Sequence, residues 1–129
     1  MPIAGIHHIA IIASDFARSR DFYVRCVGCT VLHHAFREQR QSHKLELLLP
    51  GGGQIELFSF PNPPARPTRP EACGLRHLAL AVRGLDAEIA RLAGLGVVCE
   101  AVRTDEFTGK RFTFFADPDG LPIELYELE

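Results

Sequence analysis

The chain has 129 residues, 47% of them hydrophobic and 23% charged, and a formal net charge of −2. That length fits one domain or two small halves sharing a core, and the composition is that of an ordinary globular protein. A balance this close to neutral speaks against nucleic acid or an anionic membrane as partner, because both need a basic surplus, and no apolar run reaches the ~18 residues of a membrane span. Met1 to His8 lack the basic region and apolar core of a signal peptide. Cys26, Cys29, Cys73 and Cys99 are not needed as staples in so apolar a chain. Both features point to a cytoplasmic protein with reduced thiols.

Residues 3–13 form an apolar, β-rich run that predicts a buried strand. Ser14 or Asp15 offers an N-cap, and Phe16, Phe22, Tyr23 and Val27 predict a helix ending at Gly28. Residues 30–35 predict a short strand, 36–43 a loop or edge strand, 44–49 a strand and 54–60 another, with Pro50 and three glycines turning between them. Residues 61–70 hold five prolines in ten, an extended and semi-rigid linker. The plan then repeats. A strand over 74–82 is followed by a helix capped by Asp86, with Ile89, Leu92 and Leu95 on one side and its end at Gly96. Strands follow over 97–102, 111–116 and 121–128, with a polar loop over 105–110. The expected architecture is α+β, a single domain over 1–129 made of two βαβββ modules (3–60 and 74–129) around a proline-rich linker over 61–73.

The repeat locates the chemistry. Gly5-Ile6-His7-His8-Ile9-Ala10-Ile11 aligns with Gly74-Leu75-Arg76-His77-Leu78-Ala79-Leu80, and Ile55-Glu56-Leu57-Phe58 with Ile123-Glu124-Leu125-Tyr126. His8 and His77 stand 69 residues apart, Glu56 and Glu124 68 apart, so both ends of the module recur in nearly one register. The alignment also selects His8 over His7. Side chains alternate along a strand, so His8 shares a face with Ala10 and Ile12, and Glu56 with Phe58 and Phe60. A lone His or Glu on a strand is more often a hydrogen-bonded core residue than a ligand. Two of each in repeating register, brought by pseudo-twofold symmetry to one concave sheet, call for a cation. Neutral imidazole and carboxylate suit Zn, Ni, Fe(II), Mn or Co.

At these residues the chain resembles the vicinal oxygen chelate superfamily, which includes glyoxalase I, fosfomycin-resistance proteins, extradiol dioxygenases and bleomycin-binding proteins. The resemblance runs from His7-His8-Ile9-Ala10-Ile11-Ile12 through Phe22-Tyr23 to Asp117-Pro118-Asp119-Gly120-Leu121-Pro122-Ile123-Glu124-Leu125. Glu56-Leu57-Phe58-Ser59-Phe60-Pro61, Arg66-Pro67 and Arg69-Pro70-Glu71-Ala72-Cys73-Gly74-Leu75-Arg76-His77 look most like the small YaeR-type glyoxalase-like proteins. The resemblance implies paired modules forming a cupped mixed sheet with helices outside, around one divalent metal ion held by His8, Glu56, His77 and Glu124.

Four protein ligands leave an octahedral ion two positions for adjacent substrate oxygens, where it would polarise a carbonyl and stabilise an enediolate. By resemblance to glyoxalase I, Glu124 would move the proton, with Glu56 as its possible partner, in a lyase or isomerase reaction. The glutathione-binding Arg and Asn of the bacterial glyoxalase pattern are replaced by Ile12 and Phe60. Ile12, Phe58, Phe60 and Tyr126 would give an apolar substrate pocket, with Lys110 and Arg111 available to an anionic substrate. The expected partner is therefore a small molecule, with the metal half of the glyoxalase pattern present and its glutathione-recognition half missing, bound by a chain that would pair as a homodimer. A ring-cleaving dioxygenase would use three ligands rather than four, and a bleomycin-binding protein generally has none. Fosfomycin-resistance patterns usually lack the first-module Glu.

Weaker signals remain. Cys26-Val27-Gly28-Cys29 has redox spacing but stands at a helix end. His33, His34 and His43 fit a surface or an outer site. Arg66 and Arg69 could steer anions or only keep the linker solvated.

Overall fold

In a computed structural model describing residues 1–129, the chain divides into two compact units, Met1–Ala65 and Arg66–Glu129. The first carries strand β1 (Ile9–Ala13), helix α1 (Phe16–Asp21) running on through a π-helical segment Phe22–Val27, then β2 (Thr30–Arg37), β3 (Ser42–Leu48) and β4 (Gln54–Ser59). The second carries β5 (Leu78–Val82), α2 (Leu85–Gly94), a two-residue β6 (Arg103–Thr104), β7 (Arg111–Ala116) and β8 (Pro122–Glu127). The sheets have the same plan, β1-β4-β3-β2 and β5-β8-β7-β6. In each, the first strand lies parallel to the last and every other pairing is antiparallel. The α+β expectation and the two βαβββ modules therefore hold.

Each helix covers one face of its own sheet. On β4 that face carries Ile55 and Leu57, both fully buried, paired across to the equally buried Leu47 and Leu45 of β3. Tyr23, in the π-helical segment, is buried with them. The second unit buries Leu85 and Leu92 of α2 with Ile123 and Leu125 of β8. Hiding one such side chain contributes about 1.5–3 kcal/mol, so these rows fix which face of each strand turns inward.

Several element boundaries differ from the sequence reading. The run over 3–13 becomes a strand only from Ile9, and Ile3 and Ile6 are exposed, because β4 supplies partners no earlier than Ile55. The second module behaves alike, starting at Leu78 rather than 74. Residues 97–102 form no strand: that edge keeps a backbone bond from Glu100 N to Phe114 O, a bond from the Thr113 hydroxyl to the Glu100 carbonyl at 2.7 Å and the short β6. Asp86 lies in the first turn of α2 and is not its cap, a place taken by Gly84 with φ of 72°. In the first helix Asp15 caps as expected, accepting from the Arg18 amide at 3.1 Å, and Gly28 ends it at φ of 90°. Cys29 follows directly, buried, with its thiol pushed up to about 11 by that burial, which suits a helix end and not a redox pair.

The turn before β8 is built on a buried carboxylate. Asp117 Oδ1 accepts from the amides of Asp119 and Leu121, both at 2.9 Å, while the Gly120 amide donates back to the Asp117 carbonyl at 3.0 Å. Gly120 has φ of 83°, a conformation costly for a residue with a Cβ. The result is a tight reversal that delivers Pro122 to Glu127 into the sheet in fixed register.

Candidate metal centre

Both units place a histidine against a glutamate by the same construction. In the first, Ile9 pairs with Ile55 across the parallel β1–β4 ladder, so His8, one residue earlier, and Glu56, one residue later, project to the same face. In the second, Leu78 pairs with Ile123, which sets His77 and Glu124 in the identical relation. His8 Nδ1 lies 3.4 Å from Glu56 Oε2, and His77 Nε2 lies 3.7 Å from Glu124 Oε1. Parallel pairing is what allows this. It brings together residues 48 and 47 positions apart in sequence, the histidine just before the first strand of each module and the glutamate on the last.

These pairs face away from the buried rows, yet Glu56 is only 8% exposed and the side chain of Glu124 only 14%. A carboxylate so placed needs a cation or hydrogen-bond donors. The two units meet that need differently. Glu56 sits directly across β3–β4 from Glu46, with Lys44 Nζ 3.7 Å from Glu56 and 3.8 Å from Glu46. At the equivalent positions of β7 stand Phe112 and Phe114, the latter paired with Glu124 and packed edge-on to the His77 ring at 5.1 Å. No Lys or Arg approaches Glu124 within 4 Å. One pair is thus set among charges and the other among rings.

The sequence reading does not single out Lys44, although a signal for it exists. Ser42, Lys44 and Glu46 alternate along a strand whose register places them on the ligand face. The structure gathers no group of three or more His, Cys, Asp or Glu side chains able to hold a metal.

The remaining pocket candidates separate. Phe58 shares the face of Glu56 and Tyr126 that of Glu124, with Phe58 stacked near Phe60 at 6.0 Å and Tyr126 on Phe112 at 6.3 Å. Ile12 is 54% exposed. Tyr126 also donates to Asp105 Oδ2 at 2.9 Å and meets the Thr108 hydroxyl, which ties the 105–110 loop to β8; Lys110 donates to the Leu128 carbonyl at 2.8 Å. Arg111 leaves the pocket list. It pairs with Glu127 on the opposite face of β8, and its guanidinium is taken up by Glu127 at 2.9 Å and both oxygens of Asp86 at 3.2 Å.

His34 and His43 form a separate cluster, Nε2 to Nδ1 at 2.9 Å, both stacked on Phe16. Desolvation, then the charges of His43, Arg20 and His33, lower His34 below the ordinary 6.5. The lowered value means the folded chain binds this proton less readily than the unfolded one. Its contribution to stability is complete above about 6.5 and is lost as the pH falls. An NMR titration should show His34 titrating below an ordinary histidine, with the midpoint rising in His43→Ala.

Residues 5–125 match the model of the Glyoxalase/Bleomycin resistance protein/Dioxygenase superfamily. The chain belongs to that superfamily. A relative, the uncharacterized protein YaeR of Escherichia coli (strain K12), is 58% identical over 122 residues, covering 95% of each chain. A glyoxalase family protein from Enterococcus faecalis shares the fold with a TM-score of 0.92 at 46% identity, over 98% of this chain and 100% of its own. A mutant of the fosfomycin resistance protein FosX from Listeria monocytogenes, complexed with Mn(II) and a dihydroxypropylphosphonic acid, shares it with a TM-score of 0.75 at 20% identity, over 96% and 92%. No helix of this superfamily member is long and apolar enough to cross a membrane.

Proposed function

We propose that the protein is a divalent-metal-dependent enzyme of the lyase or isomerase type, acting on a small substrate that chelates the metal through two adjacent oxygens. The observation that carries this reading is the repeated His–Glu construction, the same strand register used twice to set the same two donor types side by side. Two imidazoles and two carboxylates are a donor set that fits Zn, Ni, Fe(II), Mn or Co. His8 and Glu56 would hold the ion from one module, His77 and Glu124 from the other. When bound, it would supply Lewis acidity to a substrate carbonyl. FosX in complex with Mn(II) is an instance of a divalent ion on this fold.

The chain's own residues divide the remaining work. Glu124 is the carboxylate with no fixed ammonium or guanidinium beside it, so it is the one placed to accept a proton next to a polarised carbonyl and return it. Glu56 has Lys44 as a standing partner and acts chiefly as a ligand. Phe112, Phe114 and Tyr126 set aromatic rings beside Glu124 on the same face of the sheet. Ile12 and Phe60 offer nothing to the carboxylates and amine of glutathione.

Acetohydroxamate, which presents two vicinal oxygens and little else, tests the chelation reading. Its binding by calorimetry should require added Mn(II) or Zn(II) and should fail in Glu124→Gln; equal binding to chelator-treated protein would contradict it. Methylglyoxal with glutathione tests the substrate. The metal-loaded protein should form lactoylglutathione no faster than about 1% of the ordinary enzyme range, taking that range as ~1–1000 per second. Turnover within that range would show that Ile12 and Phe60 do not exclude glutathione.

A further inference from the structure

The second unit holds a cavity of about 700 Å³ with His77 and Phe114 in its wall. Four arginines line it, two from the proline-rich segment, Arg66 and Arg69, and two from beyond it, Arg76 and Arg103. Glu71 and Glu100 are the carboxylates in the same wall. Arg76 is paired with Glu71 at 3.8 Å and Arg103 with Glu100 at 3.7 Å. Arg66 and Arg69 have no carboxylate partner, so the cavity keeps an uncompensated positive charge of about two in a protein whose net charge is −2.

Other contacts show that the cationic wall is built. Arg66 donates through one nitrogen to the carbonyls of Leu75 and Arg76, at 3.0 and 2.9 Å, which pins the segment leading directly into His77. Its Nε is buried with no partner. Guanidinium groups fixed at a wall are the donors suited to carboxylate and phosphate oxygens. Arg103 lies over the faces of Phe112 and Phe114 at 5.1 and 5.6 Å, held at the wall rather than free in solvent. Phe114 in turn packs against the His77 ring. A single small cavity therefore runs from a ring beside the histidine to a group of guanidinium forks.

We infer that this cavity is an anion subsite, and that the substrate carries a carboxylate, phosphate or phosphonate group beside its chelating oxygens, received by Arg69 and Arg66. The inference rests on the metal reading above for the chelating end of the substrate, while the anion end stands on the cavity alone. Arg66 is also a positioning residue for His77, so the exposed Arg69, whose side chain holds no part of the fold in place, is the position to change.

Three probes, measured by calorimetry on the full chain loaded with Mn(II) or Zn(II), test it: acetohydroxamate, the monohydroxamate of succinate and phosphonoacetohydroxamate. At least one anionic probe should bind about 10-fold tighter than acetohydroxamate, as expected for one charge-assisted contact of roughly 1.5 kcal/mol. Whichever gains more identifies the anion. Arg69→Gln should remove most of that gain and leave acetohydroxamate within twofold. Equal affinity of all three, or a loss shared by acetohydroxamate, would overturn the inference. Inorganic phosphate titrated into chelator-treated protein separates the two readings. Saturable binding weakened by Arg69→Gln upholds the anion subsite when no hydroxamate binds at all, the outcome that sinks the metal reading alone; no phosphate binding together with no gain by either anionic probe overturns the subsite.

Discussion

Replacing His77 by Ala, or Glu124 by Gln, is expected to lower divalent-metal affinity by at least about 100-fold, since even partners of ligands, one shell further out, cost 10–100-fold when removed. The second-unit pair is the sharper place to make the change. Glu124 has no cation within 4 Å other than what His77 can offer, whereas Glu56 is partly satisfied by Lys44 at 3.7 Å. Glu124→Gln keeps the size of the side chain and its place in the β7–β8 ladder, so a loss of metal with an unchanged circular dichroism spectrum isolates the carboxylate. Competition against a chromophoric chelator gives the affinity. If both variants bound metal within a few-fold of the parent, Glu124 and His77 would be ordinary polar residues of a sheet.

Asp117→Ala should destabilise the protein by about 3 kcal/mol. Its buried carboxylate takes two amides at 2.9 Å, and alanine would leave both without that acceptor. One lost charge-assisted acceptor costs ~1.5–3 kcal/mol and the orphaned donors add to that. Asp117→Asn retains an oxygen at the same place and should recover about half. Urea unfolding reads the difference as a shift of midpoint at constant slope. Because this turn sets the entry of β8, the alanine variant should also weaken metal binding, through Glu124, more than Asp117→Asn does. A midpoint shift corresponding to less than about 1 kcal/mol would mean that the β7–β8 ladder, not the turn, carries the register.

What the sequence made legible follows from what repeats and alternates. The α+β fold of two repeated modules rests on side-chain alternation and on a repeat long enough to align, and the ladder Ile9–Ile55 and its counterpart Leu78–Ile123 show the two halves built in the same register. Strand ends were less legible, because a strand stops where its partner stops and apolar residues continue beyond: Ile3 and Ile6 read as strand but have nothing to pair with. Residues 97–102 failed for the same reason at a sheet edge. Asp86 resembles a cap in sequence, but Gly84 takes the capping place and Asp86 holds Arg111 instead. That contact, with Glu127, is also what turns Arg111 from a substrate candidate into part of the helix-side packing. Lys44 and the cationic cavity escaped because they depend on which residues the register places opposite one another. The proline-rich segment gives its arginines no face in sequence, and only the bonds from Arg66 to the carbonyls beside His77 supply one.

We propose that both His–Glu pairs serve a single ion. Metal analysis of protein purified without chelator, combined with X-ray absorption at the metal edge, tests it directly. One ion per chain with two imidazole ligands is expected, abolished both by the double change His8→Ala, Glu56→Gln and by His77→Ala, Glu124→Gln. Two ions per chain, each lost only with its own pair, or one ion that survives either double change, would contradict it.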